Sequence, residues 1–549
     1  MKIKISQETN LIDRLIAEQQ SLTAVERFAQ KHERSDFHAQ SRYYEDLIPL
    51  SKPVKGQQYA FAVDLDRCTG CKACVSACHS LNGLEEHETW RDTGLLVGSE
   101  LDAAYHQTVT TACHHCLEPG CLEGCPVKAY DKDEETGIVR HLDDQCIGCQ
   151  YCTMKCPYDV PKYSKTLGIV RKCDMCHERL AVGEAPACVQ ACPHEAITIR
   201  IVDVAEIRME SVPDSQILPG AYDSSYTKPT TRYTTTKKIP ADAHAADATA
   251  LHLEHAHLPL LIMLILSQCA VGLSLILAAI PMKSAFFGST ALPLAGASFL
   301  LLHVGLVAAV FHLGRPLGAW RFFLGLGTSW MSREILAFSL YAGISSGVVG
   351  LLLLANPFVR GFIPVKILAL VSPLPISLMT QGAIIGSALL GIIAVFTSAM
   401  IYIDTHRTLW RASQTLPRFY LATLALGFGA AAALVSLLGE PVPLLTRMTL
   451  ISGFLSVFWE MLRLNRARTD SDDPDHLSAQ TTRRLLPWYR PSRETLFSLW
   501  VILLVASLGT HWSAPLLLGA FLLQLAGQLL ERYAFFSSVI PLRMPRGIS

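Results

Sequence analysis

Sixteen of the seventeen cysteines lie between residues 68 and 192, in four groups of four. Cys68, Cys71, Cys74 and Cys78 form the first group, and Cys146, Cys149, Cys152 and Cys156 the third; both read C-x2-C-x2-C-x3-C. That spacing lets three thiolates wrap one face of a 4Fe-4S cube while the fourth reaches a second cluster, so each such run needs a partner run. Cys113, Cys116, Cys121 and Cys125 stretch one gap to four residues, and Cys173, Cys176, Cys188 and Cys192 insert eleven between the second and third cysteines. Proline follows the last cysteine of three groups, at Pro126, Pro157 and Pro193. At four thiolates per cluster, the set predicts four 4Fe-4S sites with none left over. Zinc ribbons share the paired C-x2-C spacing but leave the third and fourth cysteines unexplained. Secreted disulfides expect a small domain behind a signal peptide, and Met1 to Gln7 carry neither an apolar core nor a twin arginine. Cys269 stands in an apolar segment and reads as a small core residue.

Holding these cysteines requires short strands joined by loops. The runs Tyr59–Val63, Gly137–Arg140 and Ala196–Ile199 have the composition of such strands. Residues 56–200 therefore predict an α+β, ferredoxin-like iron-sulfur head of two two-cluster repeats, with the duplication written in the cysteine pattern. Residues 1–55 form an extension in which Leu11, Ile12, Leu15, Ile16, Leu22, Val25 and Phe28 give an amphipathic helix over 8–31. Residues 201–256 are rich in Ser, Thr, Pro and Asp, with irregularly spaced His244, His252, His255 and His257. They read as a solvated linker.

From residue 257 onward the chain reads as an all-α, eight-helix transmembrane bundle. Apolar segments near the roughly 20 residues that a span needs run over 258–281, 291–312, 335–355, 379–402, 417–438, 443–463, 494–511 and 514–533. Half of all residues are apolar and 17% are charged, with net charge zero. No basic stripe with interleaved aromatics points to nucleic acid.

The motifs Cys-Thr-Gly-Cys-Lys-Ala-Cys at 68–74, Cys-His-His-Cys-Leu-Glu-Pro-Gly-Cys at 113–121 and Arg-Lys-Cys-Asp-Met-Cys at 171–176 make residues 59 to about 240 resemble the iron-sulfur subunit of dimethyl sulfoxide reductase-type molybdoenzymes. The second half resembles the membrane anchor of the same enzymes, in the polysulfide-reductase-like anchor family. It does so through His312-Leu313-Gly314-Arg315-Pro316, Thr328–Glu334, Ser398–Asp404 and Glu531-Arg532-Tyr533. The resemblance implies two separately made subunits joined in one chain. It implies four ligand sets: Cys68, Cys71, Cys74 with Cys192; Cys78 with Cys173, Cys176, Cys188; Cys113, Cys116, Cys121 with Cys156; and Cys125 with Cys146, Cys149, Cys152. It further implies that the substrate chemistry resides in a separate molybdopterin-containing catalytic subunit, which this chain wires to the membrane quinone pool.

Haem b needs axial histidines from facing helices. Only His303, His312 and His511 fall in or at the ends of the spans, and no haem is expected. A quinone site needs an apolar slot with proton-exchanging groups, and ionisable residues at the membrane boundary tend to be functional. His312 and Glu334 are expected to bond and protonate a quinone, with Arg315 holding the local geometry; Asp404, His406 and Gln268 are weaker candidates. Sixteen Lys and Arg on the head side of eight spans, against Lys283, Arg360, Lys366 and Arg447 opposite, predict a multi-pass protein of the cell inner membrane with a cytoplasmic head. An iron-sulfur and anchor subunit of a proton-translocating complex without molybdenum is the alternative, but the interior of spans three to eight reads as almost free of ionisable residues. A redox sensor would need a signalling domain, and none is visible.

Overall fold

The computed structural model describes residues 11–12, 30, 44–100, 103–362, 375–466, 474–508, 510 and 513–546. The helix expected over 8–31 lies, but for three residues, outside the described residues, as does His511.

Two small sheets frame the head. Strand β1 (Gln57–Asp64) pairs its buried Tyr59, Phe61 and Val63 with Ile201, Ile199 and Ile197 in the antiparallel register of β8 (Ile197–Asp203). Strand β9 (Arg232–Thr234) runs parallel to β1 on its other side. Strands β2 (Asp92–Glu100) and β3 (Ala103–Thr111) form a hairpin extended by β10 (His244–Ala245). Tight hairpins β4 (Tyr130–Lys132) with β5 (Val139–His141), and β6 (Lys162–Ser164) with β7 (Ile169–Arg171), stand directly before Cys146 and Cys173. The expected strands over 59–63 and 196–199 are thus β1 and β8, and that over 137–140 shortens to β5. Residues 201–256 are not a free linker. They supply β9 and β10, and Thr227 and Thr230 are buried in the head, because the sheet edges accept backbone whatever the side-chain polarity.

The anchor contains α1 (Leu258–Ala279), α2 (Ala285–Val310), α3 (Trp330–Ala355), α4 (Ile376–Ile403), α5 (Ala412–Leu437), α6 (Pro443–Arg466), α7 (Tyr489–Ser507) and α8 (Ser513–Ser537). Helix α1 is central, packing on α2, α4, α5 and α8. It meets α5 at two glycines, where a Cβ on Gly272 would lie 2.6 Å from the Gly427 Cα, as small residues allow in membrane helices. Among the described residues, α1 to α5 and α8 are long and apolar enough to cross a membrane, which makes six spans. Helices α6 and α7 sit where the other two expected spans fall. Arg447 and Glu460 in the one, and Arg490, Arg493 and Glu494 in the other, dilute their apolar character.

The spans are also less free of charge than the sequence suggests. Helices α5, α7 and α8 bury Arg418, Arg493, Glu531 and Arg532 near their head-side ends, Arg493 just before its apolar run and the other three at the edges of theirs. Arg418 Nε donates to Glu531 at 2.7 Å, Arg493 lies 2.9 Å from Glu460, and Arg532 donates to Gln268 Oε1 at 3.2 Å. Pairing makes such burial tolerable.

Head and anchor are sewn together. Lys155 Nζ lies 2.8 Å from Asp404 Oδ2, Tyr151 donates to the same carboxylate at 3.1 Å, and Ser329 donates to the Gly124 carbonyl at 2.7 Å. After α8 the chain returns to the head, where Arg543 lies 2.8 Å from Asp247, Arg546 pairs with Asp159 and Met544 is buried. The Lys155 side chain is 3% exposed, so removing its partner leaves a buried charge. Asp404→Leu is expected to destabilise the docked protein by roughly 3 kcal/mol, read from denaturant melts. Combining it with Lys155→Met should recover most of that loss.

Candidate functional site

The loops that carry the cysteines repeat a backbone device. Gly70 and Lys72 flank Cys71 with φ of +72° and +61°, and Gly148 and Gln150 flank Cys149 with +68° and +60°. A short helix follows each, at Ala73–Leu81 and Tyr151–Lys155. The left-handed turn at these flanking residues reverses the loop so that successive thiols face inward. Backbone N–H groups donate to sulfur in a matching pattern: Gly148 to Cys146 and Met175 to Cys173, both at 3.4 Å, then Ala129 to Cys125 at 3.2 Å and Ala196 to Cys192 at 3.3 Å.

These loops gather the thiols into four sets. Cys68, Cys71, Cys74 and Cys192 line one recess; Cys113, Cys116, Cys121 and Cys156 line another. Cys78 neighbours Cys176 and Cys188, and Cys173 neighbours Cys78 and Cys188. Cys125, Cys146, Cys149 and Cys152 are mutual neighbours. Adjacent sets neighbour one another in order: Cys74 neighbours Cys188, Cys173 neighbours Cys113, and Tyr130 neighbours Cys121, Cys125 and Cys152. The outermost set contains the exposed Cys71. The donor chemistry fits iron-sulfur clusters. Burial pushes the Cys78 thiol up to about 12 and those of Cys125, Cys156 and Cys176 to about 11, so they do not ionise unaided, whereas a bound metal deprotonates thiols outright. Among the described residues no three His, Cys, Asp or Glu side chains converge on a single ion.

The fourth set borders the anchor. A cavity of about 260 Å³ lies under it, with Cys149 and Met154 from the head, Met263 of α1, Phe338 of α3 and Tyr402 of α4 among its walls. His312 and Glu334 are among its few polar groups. His312 Nε2 is 3.2 Å from the Cys149 carbonyl. A carbonyl only accepts, so Nε2 carries the proton and Nδ1 is left with a lone pair. Burial holds the His312 imidazole below its usual pKa. His257 packs edge-on against it, with centroids 4.8 Å apart, and His255 packs on His257 at 4.7 Å. Burial, with His312 and His255 nearby, lowers His257 to about 3, so the His257 and His312 rings are neutral near pH 7.

Residues 251–537, just over half of the chain, match the family described as DMSO reductase anchor subunit (DmsC). The chain belongs to that family. Ahead of the anchor, residues 59–80 match a 4Fe-4S binding domain and residues 104–201 a 4Fe-4S dicluster domain. The head is similar to the B subunit of the anaerobic dimethyl sulfoxide reductase of Escherichia coli K12, 37% identical over 180 residues that make up 31% of this chain and 86% of that protein. Its counterpart in Haemophilus influenzae is 37% identical over 172 residues, 30% of this chain and 82% of that one. The hydrogenase-2 operon protein HybA of Escherichia coli O157:H7 is 35% identical over 171 residues, covering 26% and 52%. The chain is thus a fusion of a DMSO reductase-type iron-sulfur subunit with its membrane anchor.

Within this fusion, His312 and Glu334 share the cavity and Arg315 lies outside it. Arg315 ties the loop to the head, its Nη1 donating to the Asp143 carbonyl at 2.7 Å and its backbone N–H to that of Ile147 at 3.0 Å. Glu334 does not pair with Arg333, which donates to the Leu326 and Gly327 carbonyls; it faces Ser398. Asp404 and His406 belong to the head–anchor seam, where the His406 ring packs on Tyr226 at 4.2 Å. Gln268 is bound by Arg532 away from the cavity. His303 is satisfied within its own helix by the Phe299 carbonyl at 2.8 Å. Tyr402 and His257 escaped sequence reasoning. Tyr402 lies in the Ser398–Asp404 motif, but His257 gives no local signal, because only the fold brings it to His312.

Three glycines let the two halves meet here. A Cβ on Gly314 would lie 2.1 Å from the Gly168 carbonyl oxygen, and one on Gly148 2.3 Å from the same atom. Gly314→Ala is therefore expected to part the seam, at a cost of about 1–3 kcal/mol. Amide hydrogen exchange over residues 146–150 should rise. Gly327→Ala, where nothing lies within 4 Å of the added Cβ, should leave exchange unchanged.

Proposed function

We propose that this chain passes electrons between a quinone held in the His312–Glu334 cavity and a separate molybdopterin-containing catalytic subunit, through four 4Fe-4S clusters. One observation carries this reading: Cys149 belongs to the innermost thiol set and to the wall of the cavity at once. The clusters are held by Cys68, Cys71, Cys74 and Cys192; by Cys78, Cys173, Cys176 and Cys188; by Cys113, Cys116, Cys121 and Cys156; and by Cys125, Cys146, Cys149 and Cys152. When bound, they supply one-electron carriers. The exposed Cys71 marks the end that faces the catalytic partner.

The chain's own groups handle the protons. The Nδ1 lone pair of His312 accepts a hydroxyl proton from a quinol, and the Cys149 carbonyl supports the imidazolium that results. Glu334 exchanges the second proton from the α3 side. The apolar walls from Leu260, Met263, Leu306, Phe338 and Ile401 exclude water and seat the ring. The same groups run in reverse when quinone is reduced. Arg315 positions the His312 loop rather than touching the quinone.

The chain spans the membrane eight times in this reading, α6 and α7 included, since α6 packs along α5 and α7 along α8. The contact of the segment after α8 with the head supports an even number of crossings. Arg407, Arg418, Arg493 and Arg532 are buried and drop out of the charge count. Twelve of the sixteen head-side Lys and Arg remain against four opposite, so the head faces the cytoplasm of a bacterial inner membrane. The buried charges of α5 to α8 gather near the head-side ends and do not form a file across the bilayer, which gives the proton-translocating alternative no support.

Anaerobic purification from native membranes is expected to yield about sixteen irons per chain, at four per cluster, with a molybdenum-containing partner. His312→Leu and Glu334→Gln should each keep the iron and weaken quinone-analogue binding, measured by fluorescence quenching, by roughly tenfold. Unchanged affinity in both variants would place the quinone elsewhere. Iron without molybdenum would count against the partner.

A further inference from the structure

Arg91 is a buried charge without a carboxylate. It precedes β2, and its side chain is 2% exposed. Nη1 donates to Thr110 Oγ1 at 3.1 Å, the guanidinium lies over the Phe61 ring at 4.6 Å, and Nε and Nη2 have no partner. The charged groups that act on it most strongly are the thiols of Cys188, Cys74, Cys173 and Cys78. These belong to two different thiol sets. The Thr110 hydroxyl that Arg91 bonds lies 3.6 Å from Cys74 Sγ.

A guanidinium keeps its proton, and one removed from water without a counter-charge costs several kcal/mol. The carboxylate three residues before Arg91 is taken: Glu88 pairs with Arg171. Lys172, also 2% exposed, is placed differently. Its ammonium bonds the Cys173 carbonyl at 2.8 Å and that of Val139, and reaches Cys113 Sγ at 3.6 Å. Lys172 is thus satisfied by backbone oxygens, whereas Arg91 keeps two unpartnered nitrogens beside four cysteines drawn from two sets. Thiolates loaded with iron and sulfide carry a net negative charge that grows by one on reduction, and nearby charge and hydrogen bonds set a cluster's potential.

We propose that Arg91 is the potential-setting residue shared by the two outer clusters, raising the reduction potentials of both relative to the two clusters nearer the membrane. This rests on the ligand sets proposed above. Each cluster gains one electron on reduction and gives it back on oxidation, and no bond or proton changes at Arg91. The guanidinium stabilises the added negative charge, so electrons reside longer at the end that faces the catalytic partner.

The test is redox-titrated electron paramagnetic resonance on the full-length chain in its native complex. Arg91→Met is expected to keep four clusters and to lower the midpoint potentials of two, leaving the other two unchanged; Arg91→Lys should restore most of the shift. If Arg91→Met does not assemble, Arg91→Gln, which retains a donor for Thr110 but no charge, is titrated instead. Four intact clusters with unshifted potentials, or a uniform shift of all four, would overturn the proposal. A parent protein with fewer than four clusters would instead overturn the ligand assignment beneath it.

Discussion

The hydrogen bond from His312 to the Cys149 carbonyl joins the membrane half of this chain to the thiol half, and the other features of the site are arranged around it. Cys149 belongs to a loop whose left-handed turn at Gly148 and Gln150 aims its thiol inward while its carbonyl faces the anchor. His312 stands in the turn just after α2, the helix that forms one side of the cavity. The close approach depends on three adjacent glycines, and Arg315, Arg321, Ser329 and the Lys155–Asp404 pair hold it from several directions. A quinone in the cavity, as proposed, would lie against Cys149, which belongs at once to the cavity wall and to the innermost thiol set. Slackening the seam would lengthen that gap without disturbing either half.

Charge is handled differently in the two halves. Within the anchor, arginines near the head-side helix ends are matched by Glu460 and Glu531 and shielded by aromatic rings, with Arg532 lying 4.3 Å from the Phe419 centroid. Within the head, Arg91 and Lys172 are buried among thiols rather than carboxylates. Paired burial is structural in the first case. In the second, the cations stand beside thiols of the proposed clusters, whose charge would change on reduction.

Much of this was legible in the sequence, because cysteine spacing and apolar run length are local properties. The four groups of cysteines and strands β1 and β8 follow from short stretches read alone, whereas the partition of the thiols into sets, which joins Cys68 to Cys192, came from the family resemblance. What was missed depends on non-local packing. His257 looked like part of a solvated linker, yet the chain brings it onto His312, and the segment around it completes two sheets. Arg418, Arg493 and Arg532 looked like loop charges because they stand at the very edges of their apolar segments, whereas the fold buries them inside α5, α7 and α8. Asp404 and His406 carry the right chemistry for a quinone site but lie on the other side of Ile401 and Tyr402, in the seam with Tyr151, Lys155 and Tyr226.

The central claim is that the cavity and the thiol sets form one electron path. Its most direct test is rapid anaerobic mixing of a short-chain quinol with the oxidised, purified protein in the absence of any catalytic partner, following the iron-sulfur absorbance. The account predicts bleaching of the clusters within the mixing experiment and its suppression by a ligand that fills the cavity. Clusters that dithionite reduces but quinol leaves oxidised, even when the quinol couple is poised below their potentials, would contradict it.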